Sequence, residues 1–141
     1  MFDNLGVVFF LSAVLIVAAI GVVYITLSQK GAGRLNVSRY QARWLAIENS
    51  VSKTNSASWQ VAVFDADKLL DQAMREKRVK GATMGERLKS ANKTWSKVND
   101  VWGAHKVRNR LAHESDMKLN YELTRRSLSA FRQALKDLGA I

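Results

Sequence analysis

No charged residue occurs between Leu5 and Leu27, a run that reads LGVVFFLSAVLIVAAIGVVYITL. About 20 apolar residues wound as a helix cross the hydrocarbon core of a bilayer, and a helix satisfies its own backbone hydrogen bonds there. A cleaved signal peptide would carry basic residues ahead of a shorter apolar core and small residues at a cleavage site. Here the only charged side chain upstream is Asp3. Residues 1–29 are therefore expected to form a retained transmembrane anchor. All 22 Lys and Arg lie after Leu27, and Lys30, Arg34, Arg39 and Arg43 follow the span closely. By the positive-inside rule the N-terminus lies outside and the remainder is cytosolic, in a single-pass protein of the inner (plasma) membrane. The same four cations are candidates for contact with anionic lipid.

About 110 residues follow the anchor, enough for one small domain. The chain contains no proline, and its apolar residues recur at three- and four-residue spacing, so the expected class is all-α. The Gly31-Ala32-Gly33 stretch makes 30–36 a flexible joint, and 37–141 a bundle of four to five up-and-down helices. Val37, Tyr40, Trp44, Ile47 and Val51 line the first helix, and Ser52 to Ser56 breaks it. Trp59, Val63, Phe64, Ala66, Leu69, Leu70, Ala73 and Met74 mark a second helix from Ala57 to Val79. After a turn at Lys80-Gly81-Ala82, Thr83 and Glu86 have capping-box spacing for a short helix ending near Ala91. A longer helix is expected from Lys93 to His113. Asn120 caps a last one that ends near Leu138, with Gly139 beyond it.

With no cysteine, disulfides and thiolate metal sites are excluded. Two histidines with carboxylates make a poor basis for zinc, so neither a metal nor another cofactor is expected. The formal net charge of +10 suits polyanionic partners such as nucleic acid, lipid headgroups or acidic proteins.

Chemistry concentrates in Arg108-Asn109-Arg110-Leu111-Ala112-His113. On a helical projection at about 100° per residue, Trp95, Val98, Val101 and Trp102 share a face that continues into His105, Arg108, Asn109, Ala112 and His113. A stripe that starts with indoles and ends with ionisable groups suggests a pocket or an interface, because a buried unpaired charge is costly. The residue set suits metal-independent phosphodiester transfer. A His can exchange the proton of a ribose hydroxyl, Arg108 can hold phosphate oxygens, and Asn109 can orient the His or hold the backbone of a bound strand. His105, Lys106 and Arg110 are candidate binding residues. A single motif supplies only part of an acid–base pair, so two facing copies would make a fuller site.

A structural alternative stands beside this. Positions five apart are about 140° apart on an ideal helix, so Arg108 and His113 are not direct neighbours. His113 can serve the helix C-terminus, Arg108 can pair with Asp100 or Asp71, and Arg110 can be solvated. His105 can be a packed or capping residue, and Trp44, Trp59, Trp95 and Trp102 can be core rather than base-stacking platforms.

The motif from Arg108 to His113 resembles the signature of the HEPN superfamily: an Arg, a polar residue next to it, a few variable residues, then a His. Trp102 to Val107 precedes it on the same helix, and the resemblance extends over about Trp59 to Leu138. It implies a compact helical bundle, often a homodimer, with paired motifs in a shared cleft. Many members are metal-independent endoribonucleases, and others are non-catalytic binding or scaffolding domains. His113 would then be the acid–base residue, Arg108 the phosphate contact and Asn109 the supporting polar group. Some toxin-type members carry Tyr two residues after the His, where this chain has Ser115, and free toxins usually lack an anchor. The expected function is RNA or nucleotide binding with endoribonuclease activity. The alternatives are a membrane-tethered scaffold or protein-interaction module, and a bundle held on anionic lipid.

Overall fold

The computed structural model describes residues 2–29 and 33–141. It is all-helical: six α-helices and no strand occur among the described residues. The chain divides after Gly33 into two compact units, and of the expected joint at 30–36, Lys30, Gly31 and Ala32 lie outside the described residues.

The first unit is α1, Phe2–Gln29. Its stretch Asn4–Leu27 is long and apolar enough to cross a membrane, and none of that surface is buried by the protein. At 1.5 Å per residue this stretch is about 36 Å long, against a hydrocarbon core of about 30 Å. The hydroxyls of Ser12 and Thr26 are turned back onto carbonyls of their own helix, Phe9 O and Val22 O. A small polar side chain thereby tolerates an apolar environment.

The second unit holds α2 (Val37–Ser50), α3 (Ser56–Glu76), α4 (Met84–Ser90), α5 (Val98–His113) and α6 (Tyr121–Asp137). Side-chain caps start four of them. Asn36 Oδ1 accepts from Arg39 N–H, Asn55 Oδ1 from Ala57 N–H, Thr83 Oγ1 from Glu86 N–H, and Asn120 Oδ1 from Leu123 N–H. Each satisfies a donor that the helix itself leaves orphaned. At α4 Glu86 reaches back to Ala82 N–H at 2.6 Å, one residue earlier than the expected capping box would place it.

Two boundaries differ from expectation. α3 stops at Glu76 rather than Val79, because Arg78 takes φ 58° and Val79 N–H returns to Met74 O at 2.9 Å. That is the left-handed closure usually given to glycine. The helix expected from Lys93 begins only at Val98. Upstream, the Trp95 indole N–H donates to Leu88 O and Ser96 N–H donates to Asp137 Oδ2. These bonds hold 91–97 as turns, so Trp95 is off the α5 stripe and packs from a loop.

α3 is the central helix, packed against α2, α5 and α6. Val63, Leu69, Leu70 and Met74 on α3, Phe131 and Leu135 on α6, and Tyr40 on α2 are fully enclosed. Trp44 and Trp95 are core residues, while Trp59 and Trp102 are half-buried against the core.

Candidate functional site

A cleft of about 830 Å³ opens between α3, the start of α4 and the middle of α5. Its floor is a closed ring of four polar side chains. Asp67 interrupts the apolar stripe of α3, four residues after Val63 and three before Leu70, and is 4% exposed. A carboxylate at that depth requires partners. His105 Nδ1 lies 2.9 Å from Asp67 Oδ1, and Arg108 Nε lies 3.2 Å from Asp67 Oδ2, close enough for an ion pair but off hydrogen-bond alignment. Arg108 Nη1 donates to Asn109 Oδ1 at 3.1 Å, and Asn109 Nδ2 stands 3.2 Å from His105 Nε2.

Hydrogen-bond complementarity orders this ring. An Asn carbonyl that accepts from Arg108 turns the amide NH₂ toward His105, so His105 Nε2 must accept. The ring proton then sits on Nδ1 and points at Asp67.

Above the ring, the Arg108 guanidinium carbon lies 5.4 Å from the Phe64 ring centroid, a cation–π distance. Trp102 meets His105 edge-on, with centroids 6.2 Å apart. Phe64, Trp102, Lys68, Arg75 and Lys106 line the open walls. Across the cleft, buried Arg87 is fixed by Asp71 Oδ1 at 2.8 Å and by Gly81 O at 2.7 Å, which ties the start of α4 to α3. Gly85 faces the ring: a Cβ there would lie 3.9 Å from His105 Nε2 and 4.0 Å from Trp102. With hydrogen at that position, the Nε2 edge adjoins the cleft.

Of the residues singled out in the sequence, Arg108, Asn109, His105 and Lys106 come together here. His113 does not: it is exposed at the last residue of α5 and lines no part of this cleft. Arg110 is also outside it, exposed and paired with Glu114 at 3.0 Å. Arg108 pairs with Asp67, neither Asp71 nor Asp100, since Asp71 is taken by Arg87 and Arg75. The sequence reading missed Asp67, although a carboxylate inside an apolar helical stripe was the available signal. Among the described residues there is no cluster of three or more side chains able to hold a metal ion.

The opposite side of α5 borders a second groove of about 580 Å³ against α6, floored by Gly103, Ala104, Ser127 and Ala130, with Lys97 and Arg126 at its edge. Comparison with protein-family models, with curated proteins and with solved structures yields no match to this chain.

Proposed function

We propose that this chain is a membrane-tethered helical module whose α3–α4–α5 cleft binds RNA or a nucleotide. The observation that carries this reading is the set of cations and aromatic rings that line the cleft from its two long sides: Phe64 and Lys68 on α3, and Trp102, Lys106 and Arg108 on α5. Phosphates are held by such cations and bases stack on such rings, the usual combination for single-stranded nucleic acid. A cleft of about 830 Å³ matches the usual size of small-ligand sites, about 300–1,000 Å³. The apolar helix Asn4–Leu27 serves as the single-pass anchor, and the basic residues after it put the second unit in the cytosol. Lys30 and Arg34, next to the span, add contact with anionic headgroups, whereas Arg39 is paired with Glu76 and Arg43 donates to Gln72 Oε1 within the bundle.

The resemblance to HEPN ribonucleases extends the reading from binding to metal-independent cleavage. Within one copy His113 is outside the cleft, so cleavage through that residue requires a second copy facing the first. Binding is tested with the full chain in detergent micelles and a labelled oligoribonucleotide. Lys68→Glu with Lys106→Glu, both exposed, is expected to weaken binding at least about tenfold. Unchanged affinity would remove the cleft from the reading.

A second reading has one observation in its favour: Arg108, Asn109 and His105 all engage α5 or Asp67 of α3. In that case the motif stitches helices together and the bundle is a tethered scaffold. It predicts no affinity for RNA and a large stability loss when the ring is broken.

A further inference from the structure

We propose that His105, oriented by Asp67, is the proton-exchanging residue of the cleft, and that a phosphate bound at Arg108 uncovers it. This rests on the reading of the cleft as an RNA site and names the chemistry done there. Asp67 is buried and bonded to His105 Nδ1, the arrangement that fixes the tautomer and aims the Nε2 lone pair outward. Asn109 Nδ2 caps that lone pair, and Asn109 is itself held through its carbonyl by Arg108 Nη1.

The three contacts form a linkage. A phosphate oxygen that draws Arg108 Nη1 to itself takes away the donor fixing Asn109. The amide is then free to turn, and His105 Nε2 faces the cleft beside the missing side chain of Gly85. Arg108 remains close to Asp67 through Nε, so the carboxylate keeps its countercharge while the fork end serves the ligand.

The step balances with one imidazole. Nε2 takes the proton of a ribose 2′-hydroxyl, and the 2′-oxygen forms a bond to phosphorus. The bond from phosphorus to the 5′-oxygen breaks, and the imidazolium returns its proton to that leaving oxygen. The products are a 2′,3′-cyclic phosphate and a 5′-hydroxyl. Arg108 lies where charge develops on the phosphate oxygens. His113 takes no part.

The test uses the full chain in detergent micelles, a 5′-labelled oligoribonucleotide and EDTA, with binding measured alongside cleavage. Wild type should cleave to cyclic-phosphate ends. His105→Gln should lose at least about 100-fold in cleavage rate while binding changes less than about threefold, and His113→Ala should retain most activity. Should His105→Gln fail to fold, Gly85→Val covers the ring edge and should lower cleavage by the same order. Cleavage abolished in His113→Ala but kept in His105→Gln or Gly85→Val overturns the proposal. So does wild-type binding without cleavage, which leaves the binding reading intact. Absence of binding by wild type overturns that reading as well as the proposal.

Discussion

Asp67 and His105 are 38 positions apart in the chain, yet Asp67 Oδ1 and His105 Nδ1 meet at 2.9 Å with both side chains buried. The contact joins the central helix α3 to the helix bearing the Arg-Asn motif, and it sets which histidine belongs to the cleft.

Removing either partner strands a buried polar group. Asp67→Ala leaves His105 Nδ1 without its acceptor and Arg108 without its countercharge, and is expected to cost about 3 kcal/mol. His113→Ala removes an exposed side chain and should leave stability within about 0.5 kcal/mol of wild type. Urea denaturation followed by fluorescence of the four tryptophans, all in the second unit, checks both. Equal costs for the two substitutions would contradict the placement of the histidines.

Arg87 is 5% exposed and holds Asp71 and Gly81 O at once. Arg87→Ala leaves Asp71 with only the exposed Arg75 and frees the start of α4. A loss of about 3 kcal/mol is expected, with faster amide hydrogen exchange across Met84–Ser90 than across α6. Uniform acceleration over the bundle would mean that α4 is not held separately by this residue.

Asp137 supplies the pH dependence. Burial alone would raise its carboxyl, but hydrogen bonds from Ser96 N–H, Gln133 and Ser96 Oγ more than reverse this and leave it below the usual aspartate value. A depressed folded value means that the ionised group stabilises the fold at neutral pH. That contribution is fully present above the unfolded value of about 3.9 and is lost as pH falls through the folded value. Asp137→Asn should lower stability by about 1 kcal/mol at pH 7 and flatten the decline below about pH 4. An unchanged acid limb in thermal melts would show that the Ser96 bonds do not carry it.

Because the chain has no cysteine, single cysteines report topology directly. A membrane-impermeant maleimide should label Asn4→Cys in intact cells and Ser129→Cys only after permeabilisation. The reverse pattern would invert the orientation inferred from the basic flank.

The helical class, the caps at Asn120 and Thr83 and the apolar stripes were legible because each is a local property of three- and four-residue spacing. The end of α3 was not: a non-glycine residue, Arg78, adopts positive φ there, and nothing in its own chemistry announces it. The start of α5 was misplaced for a non-local reason, since Asp137 binds Ser96 from 41 positions away. The site was half legible. Arg108, Asn109 and His105 stood out as ionisable or polar groups on a packing face, whereas their partner Asp67 lies on a different helix, and pairing across helices is a tertiary fact.

Photo-crosslinking is the most direct measurement: the full chain in detergent micelles with an oligoribonucleotide containing 4-thiouridine, and mass-spectrometric mapping of the adducts. Adducts at Phe64 and Trp102, lost on Lys68→Glu with Lys106→Glu, are the predicted result. Adducts scattered over α6 and the groove edged by Lys97 and Arg126, or none at all, would contradict a nucleic-acid site in the α3–α4–α5 cleft.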